Sequence, residues 1–286
     1  MKRLTMLILI AGLLGAGCVS KSSGSLGPAP TGSSPSPAQS PTVTPTVTPS
    51  VTPSETPTVM PSPTGAPFTF EVWFMRDGKL FVTSRTEPFQ PAVGGLALNA
   101  LLAGPSSAEE AAGVASTIPS GSTASITSIS NGLAAVDLSV AGPPGDGQEL
   151  RTGQIVYTLT QYSTISKVRF AGDSKTYTRQ SLGDLLPPIV VEAPLIGQRV
   201  SSPVTISGTA NVFEATVSIR ILDANGKELA NTFTTATCGT GCRGDYSVAV
   251  SYSVGHEQKG TIEVFESSAK DGSAINVQSI PVTLTP

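Results

Sequence analysis

Six prolines, Pro41, Pro45, Pro49, Pro53, Pro57 and Pro61, recur every four residues in PTVTPTVTPSVTPSETPTVMPSPT, residues 41–64. Each proline fixes its φ and removes an amide donor, so helix and central strand are both excluded and extended, polyproline-like backbone is favoured. Between Val19 and Pro67 the only charged side chains are Lys21 and Glu55, and half of the chain's 24 prolines fall in this window. Such a composition cannot bury a core, which predicts a disordered tether over residues 18–67. At about 3.1 Å per residue it would reach on the order of 150 Å when fully extended. Its Thr/Ser-Pro chemistry also permits O-glycosylation.

The remaining residues, 68 to 286, are more than one small core requires and predict two domains. The formal net charge is −3, and loss of Lys2 and Arg3 with an export signal lowers it by two to −5. No basic run with interleaved aromatics exists, so a nucleic-acid partner is not expected. Only 13% of residues are charged, while Ser, Thr, Gly, Val and Ala abound, a bias suited to β-rich exported domains. Besides Cys18 the chain has Cys238 and Cys242, in CGTGC. In an oxidising compartment this close pair is expected to form a disulfide, with the glycines permitting the tight turn. A metal reading needs further ligands, and none stands nearby in the sequence.

The N-terminus, MKRLTMLILIAGLLGAGCVS, places Lys2 and Arg3 before an apolar run from Leu4 to Leu14 and then small residues. That is the build of an export signal over residues 1–17, and the run is short for a bilayer span. Its ending, LLGAGC, resembles the lipobox of bacterial lipoproteins, which implies lipidation at Cys18. It departs from that pattern in having Gly15 three residues before the cysteine, with Leu14 one step further away. Ordinary cleavage after Gly17 is the alternative, since Gly15 and Gly17 satisfy the small-x-small rule. Lipidation makes sense of a cysteine placed ahead of a long tether, and it puts the chain on the extracytoplasmic face of a cell membrane.

FTFEVWFMRDGKLFVTSR gives two strands about Asp77-Gly78. Trp73 and Phe74 are neighbours on the first of them, so their side chains point to opposite faces, and the outward one is expected to be covered by a helix or the neighbouring domain rather than left exposed. QPAVGGLALNALLAGP places Val93, Leu96, Ala97, Ala100 and Leu101 on one helical face, with Gly104-Pro105 as the stop. STASITSISNGLAAVDLSV reads as a second hairpin about Asn131-Gly132, with Ala134, Val136 and Leu138 alternating. A Thr-rich helix follows, with Ile155, Val156, Leu159 and Tyr162 on one face and weakened by Gly153, and then a strand carrying Val168 and Phe170. The expected order for residues 68–180 is β-β-α-β-β-α-β, an α+β domain with helices on one face of a mostly antiparallel sheet.

LNALLAGPS, TIPSGSTASITSISNGLAAVDLS and IVYTLTQYSTISKVRF together resemble the GerM domain of bacterial sporulation and spore-germination proteins, over about 100 residues and with matching order. The sequence departs from that pattern after Phe170, where AGDSK replaces an Asp-Gly turn. The resemblance implies assembly rather than catalysis.

In residues 188–286, Phe213, Ala215, Val217, Ile219 and Ile221 alternate with Glu214, Thr216, Ser218 and Arg220, one face entering a core. Asn225-Gly226 closes a hairpin, and Tyr246, Val248, Val250 and Tyr252 share a face further on. With TIEVFES and INVQSIPVTL, about seven short strands favour an immunoglobulin-like β-sandwich. GTANVFEATV and VFESSAKDGS resemble the immunoglobulin-like domain of bacterial spore-germination proteins. The segment GDLLPPIVVEAP between the domains is short and stiffened by Pro187-Pro188, so a restricted domain orientation is expected.

Nothing in the sequence assembles a catalytic set. His256, the sole histidine, lies in the polar stretch SYSVGHEQKG, which reads as a loop. Glu109-Glu110 reads as a solvated loop or short helix, and Asp77, Asp223 and Asp271 stand at glycine turns that explain them without calcium. The expectation is a non-enzymatic surface lipoprotein without a cofactor, contacting a protein partner in the cell envelope, with self-association as a further option. A cell-wall glycan or small-ligand module is the competing class; it needs a groove of exposed aromatics, and one Trp and five Tyr supply it poorly.

Overall fold

The computed structural model describes residues 65–142 and 147–286. The export signal, Cys18 and residues 18–64 of the expected tether lie outside the described residues; its last residues, 65–67, are described, and Pro67 already belongs to the first strand, paired with Pro88.

The first domain opens with β1 (Pro67–Arg76) and β2 (Lys79–Pro88), an antiparallel hairpin whose turn residues, Asp77 and Gly78, both have positive φ. That conformation suits the twist of a two-residue hairpin, and Asp-Gly tolerates it. Helix α1 (Val93–Ala103) buries Leu96, Leu98 and Leu101 and stops at Gly104. A short helix, α2 (Ser107–Ala111), follows and adds one element to the expected order. Next come β3 (Thr123–Ser130), β4 (Leu133–Ser139), α3 (Gln148–Leu159) and β5 (Lys167–Phe170). The strands form two separate pieces, β1-β2 and β3-β4-β5, and β4 runs parallel to β5. The single, mostly antiparallel sheet expected from the sequence is therefore corrected.

The break in the sheet has a local cause. The unpaired edge of β1 is met by polar side chains of α3 and its C-terminal turn rather than by another strand. Thr158 Oγ1 accepts from Trp73 N (3.0 Å), Gln161 Oε1 accepts from Glu71 N (2.7 Å), and Gln161 Nε2 donates to Glu71 O (2.8 Å). Gln154 Nε2 adds a longer bond to Trp73 O, and Met75 exchanges two backbone bonds with Ala115. Gln154 and Thr158 are fully buried for this purpose. With α3 against that edge, Trp73 packs on Tyr157 at 4.8 Å between ring centroids, and Trp73 and Phe74 are both buried. The exposed aromatic that strict alternation allowed is thus absent at this hairpin. Gly153 is explained by the same packing: a Cβ there would lie 2.7 Å from Leu185 Cδ1 and 3.2 Å from Leu80 Cδ1.

A 3-10 segment, Gln180–Leu185, leads into β6 (Ile189–Ala193), and the second domain adds β7 (Arg199–Val200), β8 (Val204–Ala210), β9 (Thr216–Asp223), β10 (Glu228–Thr235), β11 (Gly244–Val250), β12 (Gln258–Ser267) and β13 (Ala274–Leu284). They build two sheets, β10-β9-β12-β13-β7 and β11-β8-β6, around Ile206, Val217, Ile219, Ile221, Ile262 and Ile280. The alternation expected from Phe213 begins only at Thr216. Phe213 and Ala215 sit in a 3-10 turn with Glu214 at positive φ, and Phe213 is 51% exposed.

The two domains share one continuous buried core within a single compact unit. Arg76, at the end of β1, crosses between them: its guanidinium donates to Ser279 O (2.9 Å) and Gln278 Oε1 (2.7 Å) on β13 and lies 4.3 Å over the Phe81 ring. Burial lowers its pKa, opposed by the nearby Asp77 charge. Lys79 Nζ donates to Asp184 O at 2.7 Å. The double-proline segment is held from the other side by Arg243, which donates to Pro187 O (2.6 Å), Pro188 O (3.4 Å) and Thr209 O (3.2 Å).

Candidate functional site

The sequence-stated chemical candidates do not converge. His256 is exposed in the loop before β12. Asp223 Oδ1 accepts from the amides of Asn225 and Lys227, and Asp271 Oδ1 from that of Ser273, each closing its own turn. Among the described residues no group of three or more His, Cys, Asp and Glu is placed to hold a metal ion. Cys238 and Cys242 are joined as a disulfide in the loop between β10 and β11.

Glu109 stands in α2, the short helix that the sequence reading offered, but its solvation is corrected. It is 4% exposed, not solvated, and its carboxylate receives Arg85 Nη1 (2.9 Å) and Nη2 (2.7 Å), Thr83 Oγ1 and the Ser106 amide (2.7 Å). Burial alone would raise its pKa; the bonds from Arg85, Thr83 and Ser106, with the Arg85 charge, override it and hold the group down at about 2. The Ser106-x-x-Glu109 spacing is a capping box, the signal by which α2 was readable. This network joins α2 to β2 and has no open coordination for a substrate.

One strand edge that the fold leaves open is that of β3. This strand is the terminal one of its sheet, its residues are exposed or half-buried, and Ile129 is 48% exposed. The edge of β1 is sealed by α3, and that of β5 is bridged by Tyr177, whose backbone exchanges bonds with Val168. Beside β3 runs a groove of about 610 Å³ against the start of α1, lined by Val93, Leu98, Ile126, Ile129, Tyr162 and Ile165. Gly94 lets α1 come this close, since a Cβ there would lie 2.8 Å from Ile126 Cδ1. Tyr162 OH donates to Val93 O (3.1 Å) and ties the far wall to α1; burial, helped by the Glu71 charge, pushes this phenol up to about 12. A free strand edge beside an apolar trough is the geometry that accepts an extended segment.

A second recess, about 600 Å³, lies where the domains meet, lined by Arg179, Glu192, Asn211 and Arg243. Trp73 is at its floor but closed off. Its indole Nε1–H donates to Glu71 Oε2 (3.0 Å), and the Arg179 guanidinium lies 5.5 Å over its ring and 5.0 Å over that of Tyr157. Burial raises the pKa of Glu192, with Glu71 and Asp245 adding to the effect and Arg179 and Arg243 opposing it.

Residues 71–178 match the profile of the family described as sporulation and spore germination, and residues 188–273 match that of the immunoglobulin-like domain of bacterial spore germination. The chain carries both spore-germination domains in tandem. Among solved structures, the tandem GerMN domains of the sporulation protein GerM from Bacillus subtilis match at 13% identity and a TM-score of 0.35, covering 77% of this chain. The chain spans 61% of the length of that protein's solved chain. The first GerMN domain of the same protein matches at 23% identity and a TM-score of 0.28, over 37% of this chain and 84% of its own. CopC from Methylosinus trichosporium OB3b matches at 16% identity and a TM-score of 0.23, over 34% of this chain and 94% of its own. No curated protein matches. The two matched domain families are non-catalytic.

Proposed function

We propose that this chain is a non-enzymatic surface lipoprotein, anchored through Cys18 on the extracytoplasmic face of the cell membrane, that works by protein–protein contact in an envelope assembly of the spore-germination type. The observation that carries the reading is the uncovered β3 edge beside the apolar α1–β3 groove. Its occupant is an extended strand of an envelope protein, held by main-chain hydrogen bonds along β3 and by apolar side chains seated between Val93, Ile126 and Tyr162. The closed state of Trp73 supports this reading over a glycan module, because a sugar needs an exposed aromatic face and this indole is buried under Arg179. Neither contact requires a cofactor.

The test is site-specific photo-crosslinking from Ser128 in living cells, with and without Ile129→Lys. A discrete protein adduct at Ser128 that disappears in Ile129→Lys, while the purified variant keeps its melting temperature, is the expected result. Adducts that persist in the variant refute the β3 contact. A purified protein that turns over a cell-wall substrate, with the activity lost on His256→Ala, refutes the non-enzymatic reading.

A further inference from the structure

The interdomain segment has an unusual way of being held. Pro187 and Pro188 have no N–H groups, so only their carbonyls are available to fix the linker. Three donors reach them: Arg243 donates to both carbonyls, and the Asn211 amide donates to Pro188 O at 2.8 Å. Arg243 directly follows Cys242, and its position is set by the loop that the disulfide closes. That loop is laid along residues 211–215 by Thr240 N to Val212 O (3.0 Å), Gly241 N to Asn211 Oδ1 (3.0 Å) and Glu214 N to Thr240 Oγ1 (3.1 Å). Gly244 closes it from the far side, packed so tightly on Cys238 that a Cβ would meet the Cys238 amide nitrogen at 2.0 Å. The short covalent loop therefore flanks the residue that pins the linker on one side, and β11, paired with β8 through Gly244 and Ala210, flanks it on the other. Both cysteines are only half-buried, and Cys242 and Arg243 line the recess between the domains, so an external reagent can reach them.

We propose that the Cys238–Cys242 disulfide is a thiol–disulfide exchange site for an extracytoplasmic protein dithiol, and that its opening releases the Arg243 hold on the interdomain linker. In the first step the thiolate of the dithiol attacks one of the two sulfurs; the S–S bond breaks and the other cysteine leaves as a thiolate, which takes a proton. The second thiol of the dithiol then resolves the mixed disulfide. The cysteine pair gains two electrons and two protons, and the reductant becomes a disulfide. Once open, the loop recovers backbone freedom, and the Pro187 and Pro188 carbonyls lose their most strongly charged donor. The oxidised protein holds the Pro187–Pro188 carbonyls on Arg243, and the reduced protein leaves the linker without that hold while the shared core and the Arg76 bonds to β13 persist. This goes beyond the assembly reading and does not depend on it.

The experiment is hydrogen–deuterium exchange on the mature chain, read at the Asn211 amide, whose bond to Pro188 O reports the linker directly. Oxidised protein, protein treated with millimolar dithiothreitol, the Cys238→Ser/Cys242→Ser double variant and oxidised Arg243→Ala are compared. Exchange at Asn211 is expected to rise about tenfold in the reduced protein and in the double variant. Oxidised Arg243→Ala should show the same rise, with no further increase on reduction. A disulfide that resists the dithiol, or faster exchange confined to residues 236–243 with Asn211 still protected, overturns the proposal. Because wild-type reduction and Arg243→Ala are read independently, a double variant that fails to fold leaves the decision to those two arms.

Discussion

Replacing Glu109 with Gln removes one negative charge from a carboxylate that has four donors and little water, and two routes give the size of the effect. The first is linkage. A carboxyl held at about 2 when folded, against about 4.3 in an unfolded chain, contributes about 3 kcal/mol to stability at neutral pH. The second is the cost of breaking a buried ion pair by removing one partner, about 3 to 5 kcal/mol. Arg85 keeps some water, its side chain being 23% exposed, which places the value at the lower end of that range. Both routes meet near 3 kcal/mol, a large share of the stability of an ordinary domain. The sign with pH follows from the depressed folded pKa. The contribution is complete above the unfolded value, falls as the pH drops below it, and is gone once the pH has passed through about 2.

Urea denaturation of wild type and Glu109→Gln from pH 7 down to pH 2 measures this directly. The difference between the two curves isolates Glu109, because exposed carboxylates such as Asp173 and Asp271, whose pKa values are lowered by hydrogen bonds within their own turns, titrate in both proteins. The stability gap is expected to be about 3 kcal/mol at pH 7 and to close toward pH 2. A variant within about 0.5 kcal/mol of wild type at pH 7, or a gap that does not change with pH, refutes the reasoning.

Arg76→Ala removes two charge-assisted bonds to β13, and after allowance for the guanidinium's burial it should destabilise by about 2 kcal/mol and split a single calorimetric transition into two; one unbroken transition at the wild-type temperature counts against coupling through Arg76. Cys18→Ser should shift the protein from the membrane fraction to the soluble fraction or stall its processing, read by fractionation and intact mass; a variant processed normally and still membrane-bound removes the lipid anchor from the reading.

The local rules were readable and the tertiary covers were not. Asp77-Gly78 and Asn131-Gly132 both take positive φ at hairpin turns, as their chemistry dictates, and Val217, Ile219 and Ile221 enter the sandwich core on the expected period. Trp73 and Phe74 are both buried, as cover by a helix required, but that the cover is α3 follows only from a contact between residues 85 positions apart. Glu109 was misread as solvated because its partners, Thr83 and Arg85, come from the opening hairpin, although the capping box around it was visible as Ser106-x-x-Glu109. Phe213 looked like the first inward residue of a strand, but the 3-10 turn that places Glu214 at positive φ breaks the phase before Thr216. The groove beside β3 combines Val93, Ile126 and Tyr162 from three elements, and only the fold brings them together.

The treatment of strand edges gives the assembly reading its physical content. An unpaired edge is a liability that folded proteins suppress, and this chain suppresses two of its own by specific means. Burying Gln154 and Thr158 in α3 to satisfy β1 is costly unless every polar atom finds a partner, and both side chains do: Gln154 Oε1 accepts from the Thr117 amide (2.9 Å), and Thr158 Oγ1 from the Trp73 amide. The edge of β5 is met by Tyr177, which Asp173 steadies through its hydroxyl at 2.8 Å. On β3 the same chain places Ser, Thr and an exposed Ile129, with no Lys and no Pro among Thr123–Ser130; the edge-blunting feature it does carry is an irregularity at Thr127, where the register to β4 shifts between Ile126 and Ser128. The edge strand β10 of the sandwich is also terminal in its sheet, and its Phe233 is 68% exposed. An edge free of Lys and Pro, beside an apolar trough, is the surface on which the proposed partner strand would complete the sheet.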